Sequence, residues 1–290
     1  MRIMLFGASG QLGSECVLGL HSGEHDLIPL TRADVDFSDG SALVDIVMLQ
    51  KPDIVVNACA YTAVDKAEDE SAIANQINHL SVNCLANVCR DIDAVLLHIS
   101  TDYVFDGQAK EPYTEDAPVN PLNVYGKTKL LGENALLASG VKAVILRTSW
   151  VFGKNGNNFV NTMLMLGAKR DHLSIVDDQY GCPTYTGHIV EVIIELIQRY
   201  QQSASLPWGI YHCSSAGVVS WFQFAQAIFE QALEAGLLTL SPVIKGIPSS
   251  AYPTPAPRPA YSVMNTRKLE TLLGRSIPSW NNGLRDFFAD

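Results

Sequence analysis

Residues 6–13 read FGASGQLG, placing Gly7, Gly10 and Gly13 three apart, directly behind the apolar run RIMLF and ahead of a helix-like segment. Glycines so spaced permit a tight turn, a close approach of a pyrophosphate to the backbone, and its binding at the positive end of the next helix. Three glycines alone would also serve a plain turn. Their place between an N-terminal strand and a helix is what predicts a dinucleotide-binding unit. Working outward, apolar runs recur in RIMLFGA, HDLIPLT, DIVVNAC, AVLLHIST and KAVILRTS, alternating with the helix-like SALVDIVMLQ, AIANQINHLSVNCLANVCRDI and KTKLLGENALLASG. Strands that are apolar throughout are covered on both faces, so the expected fold is α/β, a Rossmann-type doubly wound parallel sheet.

After about Thr148 the rhythm changes. NNFVNTMLMLGAKR, HIVEVIIELIQRYQQ and SWFQFAQAIFEQALEAG read as helices, the second apolar enough to return to the sheet. The expected division is a dinucleotide-binding domain over residues 1–150 with a return of 188–213, and a smaller, mainly C-terminal α/β substrate-binding domain over 151–187 and 214–290. The run SPVIKGIPSSAYPTPAPRPAYS allows a flexible linker or an ordered loop over a pocket; Tyr252, Arg258 and Tyr261 among its prolines favour the ordered loop.

The chain has 290 residues, 47% of them hydrophobic, enough for a sizeable core. Its 20 basic against 30 acidic side chains give a net charge of -10, which opposes binding to nucleic acid or an anionic membrane surface. An anionic ligand must be held by local donors. Cysteines 16, 59, 84, 89, 182 and 213 show neither C-x-x-C nor zinc-ligand spacing, so free thiols in a reducing cytoplasm are expected. The first apolar run is too short for a signal peptide, and IVEVIIELI carries two glutamates, so no targeting or membrane-spanning segment is expected.

Candidate chemistry follows the strands. After HDLIPLT, where an acid often binds the ribose of NAD, stand Thr31 and Arg32; an arginine there can pair with a 2′-phosphate, which favours NADPH and leaves NADH possible. Asp34 or Asp36 could instead hold a ribose hydroxyl or the adenine amino group. In NACAYTAVDKAEDE, Asn57, Ala58 and Ala60 are small enough for a cofactor to lie on the backbone, with Thr62 and Lys66 within reach of a ligand. HISTDYVFDG ends at the carboxyl edge of the sheet, where Thr101 offers a hydroxyl. VYGKTK then sets Tyr125 and Lys129 on one helical face, so that an ammonium beside the phenol would lower its pKa and tune it for proton transfer. Lys127 points elsewhere. An isolated Tyr-x-x-x-Lys is more often packing and snorkelling; the order of glycine loop, Thr101 and this helix is what gives the pair a chemical reading.

Through FGASGQLG, STDYVFDG and YGKTK the chain resembles the extended short-chain dehydrogenase/reductase family over nearly its whole length, with NACAYTAVDKAE, PLNVYGKTKLLGE, RTSWVFG, GNNFVNTML, DDQYGCPT and AYPTPAPRP as further matching stretches. The resemblance implies Thr101, Tyr125 and Lys129 as the catalytic set. It also implies Gly10, Gln11, Leu12, Asp36, Phe37 and the segment Ala60, Tyr61 and Thr62 as cofactor-binding, beside Gly7, Gly13 and Arg32 read above. Thr101, Asp102, Trp150, Asn158, Gln179 and Arg258 would meet a dTDP-sugar, whose C4 keto group would be reduced by NAD(P)H. Sugar-nucleotide dehydratases of this fold carry an acid where Tyr103 stands, which argues for simple reduction. A non-catalytic regulatory subunit of the methionine adenosyltransferase type, or a reductase of another dTDP-4-keto-6-deoxy sugar, are the competing expectations. Some relatives bridge dimers through magnesium held by glutamates; Glu15 matches one, but Gly187 and His188 stand where another is expected. No metal ligands are therefore assigned, magnesium is left open, and both a monomer and a homodimer fit.

Overall fold

The computed structural model describes residues 1–21 and 25–289. The first half runs β1 (Arg2–Phe6), α1 (Gln11–His21), β2 (Asp26–Leu30), α2 (Gly40–Gln50), β3 (Ile54–Asn57), α3 (Val64–Ala67), α4 (Ser71–Asn75), α5 (Ser81–Asp91), β4 (Val95–Thr101), α6 (Val124–Ser139) and β5 (Ala143–Thr148). A π-helical turn over Gln76–Leu80 joins α4 to α5. The second half runs β6 (Val151–Phe152), α7 (Phe159–Gly167), β7 (His172–Val176), β8 (Tyr180–Gly181), β9 (Thr184–Tyr185), α8 (Thr186–Ser203), β10 (Gly209–His212), β11 (Val219–Ser220), α9 (Trp221–Glu234), β12 (Val243–Ile247), α10 (Arg267–Leu273) and α11 (Trp280–Ala289).

Six strands form one parallel sheet in the order β10-β5-β4-β3-β1-β2. Every residue of β3 and β5 is buried, as continuous apolar runs require. β2 carries Pro29, which cannot donate to a ladder, and it lies at the sheet edge, where that omission costs least. The chain leaves β1 toward one edge and returns through β3 toward the other, so the switch point, where such sheets bind ligands, lies between their carboxyl ends.

One face of the sheet packs on α1 and α8, where Ile3, Leu5, Cys16, Ile189 and Ile193 are wholly buried; the other packs on α2 and α5, around Leu43, Val47 and Leu85. A separate core gathers Phe152, Val160, Phe224, Phe229 and Leu284 around α7, α9 and α11. Leu269, Leu273 and Ile277 pack into the sheet core, so the segment around α10 lies with the sheet, inside the 214–290 stretch expected to stand apart. All six cysteines are free thiols. Among the described residues no helix is long and apolar enough to cross a membrane.

Candidate active site

The glycine loop is built by contact. Gly7 sits at φ +82°, and a Cβ on Gly13 would come within 1.9 Å of the Gly7 carbonyl oxygen, so α1 can start only where both side chains are missing. Gly7 and Ala8 N–H both donate to Leu30 O, anchoring the loop to β2. The start of α1 thus faces a cleft of about 350 Å³ lined by Gly7, Ser9, Gly10, Thr31, Arg32, Asp36, Phe37, Ala58, Cys59 and Ala60. Orphan N–H groups of a helix's first turn favour an anion there. Arg32 is exposed at the rim and makes no ion pair among the described residues. Asp34 is spent closing a turn on Thr31, whose N–H and hydroxyl it accepts at 2.8 and 2.6 Å; Asp36 does the same for Ser38 at 2.9 and 2.8 Å. These bonds hold both carboxyls below the usual carboxylate range.

Not every side chain named from the sequence faces this cleft. Leu12 points into the core. Gln11 donates to Val151 O at 3.1 Å and accepts from Asn158 Nδ2 at 2.8 Å, so Asn158 is tied to the glycine-loop helix while its Oδ1 caps α7. Tyr61 reaches Glu70 with its hydroxyl at 2.5 Å, and Thr62 and Lys66 are exposed.

At the carboxyl end of β4, Thr101 Oγ1 accepts from Tyr103 N–H at 3.2 Å and donates to Asp102 Oδ1 at 3.1 Å. Asp102 is buried, accepts Ser149 Oγ at 2.9 Å, and is also hydrogen-bonded by Ser262. Desolvation pushes its carboxyl up to about 6 against the opposing pull of those hydroxyls. Tyr125 lies in the first turn of α6, which begins three residues before the expected KTKLLGENALLASG because Asn123 caps it, Oδ1 accepting Gly126 N–H at 2.8 Å. Gly126 lets the helix seat on the site: a Cβ there would come within 2.2 Å of Tyr103 O. Burial pushes the Tyr125 phenol up to about 12, its hydrogen bond with Thr101 pulling the other way and the Asp102 carboxylate adding to the rise. Thr101, Asp102 and Tyr125 are therefore one hydrogen-bonded group, and the phenol is protonated at neutral pH.

Lys129 departs from expectation. It is 1% exposed, and its Nζ donates to Ile99 O at 2.7 Å and lies 3.4 Å from His98 Nε2. Among the described residues its ammonium forms no hydrogen bond with the phenol, and the phenol is raised rather than lowered. Sharing a helical face brings the two Cα atoms one turn apart, but the long lysine stem turns inward to the β4 backbone. Burial lowers Lys129 to about 8, although Glu133 and then Cys59 act to raise it.

The remaining candidates lie around the mouth. The proline-rich run is an ordered strap: Asn123 Nδ2 donates to Pro257 O at 2.8 Å, Ala256 N–H to Asp65 Oδ1 at 3.2 Å, and Arg258 pairs with Asp65 Oδ2 at 2.8 Å. Trp150 adopts φ +47° and stacks on Trp221 at 3.4 Å, packing with the second core. Gln179 is half-buried beside β8. Among the described residues no group of three or more metal-ligating side chains forms, and His188 is bonded to Asp286 at 2.9 Å.

Sequence reasoning missed the residues that hold this site. Asn78, in the π-helical turn, accepts Tyr61 N–H and donates to Tyr61 O and to Thr128, tying the cofactor-side loop to α6. Glu133 pairs with Arg147 at 2.7 Å with both wholly buried, and accepts Ser100 Oγ. Glu68 accepts Val124 N–H at 2.8 Å. No local pattern marks any of them, because each partner comes from another element.

A parallel doubly wound sheet with a glycine cradle at its switch point, and a hydroxyl pair and a buried lysine beside it, has the architecture of the nucleotide-dependent short-chain reductases and epimerases. More narrowly, the whole chain, residues 1–290, matches the family model described as the RmlD substrate binding domain, and the protein belongs to that family. It is 39% identical over 289 residues to a dTDP-4-dehydrorhamnose reductase of Aggregatibacter actinomycetemcomitans, covering 99% of this chain and 98% of the relative. Among solved structures it is similar to a dTDP-4-dehydrorhamnose reductase of Clostridium acetobutylicum, with TM-score 0.92 and 38% identity over 100% of this chain and 99% of the other. It is equally similar to the Bacillus anthracis enzyme solved in complex with NADP, with TM-score 0.92 and 36% identity over 99% and 98%.

Proposed function

We propose that the protein reduces the C4 keto group of dTDP-4-dehydro-β-L-rhamnose to dTDP-β-L-rhamnose with NADPH, a step toward polysaccharide precursors. The cleft suits the cofactor: Gly7 and Gly13 let the loop close tightly on the start of α1, whose first-turn N–H groups can meet the diphosphate, and Arg32, which makes no ion pair among the described residues, offers its guanidinium to a 2′-phosphate. When bound, the nicotinamide supplies hydride to C4. Tyr125, kept protonated by its burial, gives its proton to the oxygen on C4. Thr101 turns its hydroxyl proton, held by Asp102 Oδ1 in the absence of substrate, to the same oxygen. Lys129 supplies a cation toward the nicotinamide ribose. The second core, with Trp150, Gln179 and the Arg258 strap, forms the sugar-nucleotide side, while Asn158 joins that side to the glycine loop.

What most directly supports the reading is the hydrogen-bonded Thr101 and Tyr125 at the carboxyl end of β4, beside the glycine cradle. It is tested by giving the purified protein freshly made dTDP-4-keto-L-rhamnose with NADPH, following nicotinamide oxidation, and identifying the sugar. Tyr125→Phe is expected to lower turnover by about 10²- to 10⁴-fold with cofactor binding retained. Near-normal turnover in that variant removes Tyr125 from the mechanism, and co-purification with a synthetase without turnover would favour a regulatory role.

A further inference from the structure

Lys129, His98 and Asn57 form a buried chain of three side chains, the last two of which the mechanism does not use. His98 is 0% exposed and points from β4 between Asn57 and Lys129, with Nδ1 3.0 Å from Asn57 Nδ2 and Nε2 3.4 Å from Lys129 Nζ. Asn57 is also wholly buried, and its amide can point only one way. Its Oδ1 accepts Cys59 N–H at 3.0 Å, so Nδ2, a donor, must face the ring. Reversing the amide would set two N–H donors against each other at Cys59 and lose that bond.

The consequence runs to the lysine. If Nδ1 accepts from Asn57, a neutral imidazole carries its proton on Nε2. Burial, with the Lys129 charge as second cause, holds the ring well below its usual pKa and hence neutral. The Nε2–H then faces Lys129 Nζ, where only the lone pair of an amine can accept it; toward an ammonium it presents a donor to a donor. Nζ meanwhile keeps one N–H on Ile99 O.

We infer that Asn57 and His98 are positioning residues for Lys129: Asn57 fixes the imidazole tautomer, and the His98 Nε2–H favours the amine over the ammonium, so that the lysine gives up its proton readily. The inference deepens the proposed reduction and rests on it for the role of Lys129, though the tautomer stands on geometry alone. The charged and titratable groups facing Lys129 are Glu133, one turn along α6 and already paired with Arg147, and Cys59 from the loop after β3; both oppose the shift, yet the lysine still lies at about 8. A lysine that titrates there can exchange a proton within the working range of a reductase.

The tautomer is read directly from two-bond 1H–15N spectra of protein carrying 15N-histidine, with the His98 signals assigned by their loss in His98→Gln. The expected result is a neutral ring protonated at Nε2 that does not titrate down to pH 5. Lys129 ionisation is followed in parallel through its 13Cε shift in lysine-labelled protein, which needs no turnover. Asn57→Asp accepts both Cys59 N–H and the ring N–H, so it should move the proton to Nδ1, turn Nε2 into an acceptor, and raise the Lys129 midpoint by about one pH unit or more, roughly tenfold in proton affinity. His98→Gln can turn an amide oxygen to the ammonium and should raise it in the same direction without adding charge. A wild-type ring protonated at Nδ1, or a Lys129 midpoint unmoved in both variants, overturns the inference. Failure of the wild-type protein to reduce the keto sugar would instead sink the proposed reaction and leave the tautomer result standing.

Discussion

Replacing Lys129 with methionine should abolish turnover while making the protein more stable. Burial lowers the Lys129 pKa from the usual 10.5 to about 8, and each tenfold loss of proton affinity is worth about 1.4 kcal/mol, so carrying the charge at pH 7 costs the fold about 3 kcal/mol. The sign follows from a base with a depressed folded pKa. The cost is complete below about pH 8, is relieved as pH rises from 8 to 10.5, and vanishes above. Methionine has a similar length, fits irregular spaces and carries no charge. Against the gain stands the lost hydrogen bond to Ile99 O, worth about 1 to 2 kcal/mol because its donor is charged. The balance is a stabilisation of about 1 to 2 kcal/mol, and at roughly 2–4 °C per kcal/mol for a chain of this size the thermal midpoint should rise by about 2–8 °C at pH 7. Calorimetry on both proteins from pH 7 to 10, with keto-sugar turnover as control, measures this. A midpoint equal to or below the parent's at pH 7, or a difference that grows toward pH 10, would refute the account of Lys129 as a charge held against its burial.

Two further substitutions separate cofactor choice from scaffold. Arg32→Ala should weaken NADPH more than NADH, by about tenfold or more if the guanidinium makes a charge-assisted bond to the 2′-phosphate; binding titrations with both cofactors measure the ratio, and equal losses for the two would show that Arg32 does not read that phosphate. Glu133→Gln leaves Arg147 charged in a site where both are at most 2% exposed, so it should destabilise by about 3–5 kcal/mol in urea unfolding; a change below about 1 kcal/mol would mean that water reaches the guanidinium.

The strands, the parallel sheet and the glycine loop were legible because they follow from local chemistry: unbroken apolar runs and glycines at fixed spacing. Thr101 and Tyr125 were legible as residue types in order along the chain. The environment of Lys129 was not. Spacing in a helix tells which Cα atoms share a face, but whether an ammonium meets a phenol depends on a competing acceptor, and Ile99 O and His98 lie on a strand about 30 residues earlier. Asp34 and Asp36 each commit one carboxylate oxygen to a neighbouring hydroxyl in the turn, a local pairing that residue type alone did not reveal. The ordered strap was foreseen from composition, whereas its anchor Asp65 sits in a segment read for its small residues and for Thr62 and Lys66.

Asp102 shows why the site keeps an acid where burial makes one expensive. Its two oxygens take hydroxyl protons from Thr101 on β4, Ser149 just after β5 and Ser262 at the end of the strap. A carboxylate accepts from all three; an asparagine would offer one oxygen and turn a donor toward the remaining hydroxyls. The same logic operates at the first turn of α6, where Glu68 accepts the N–H of Val124 and Asn123 both caps the helix and holds Pro257 of the strap. Tyr125 therefore has its position fixed by three distant segments at once: the β4 end through Thr101, the end of α3 through Glu68, and the strap through Asn123. A ligand that moved the strap would reach Tyr125 by two routes, through Asn123 at the cap of α6 and through Ser262, Asp102 and Thr101 at the end of β4.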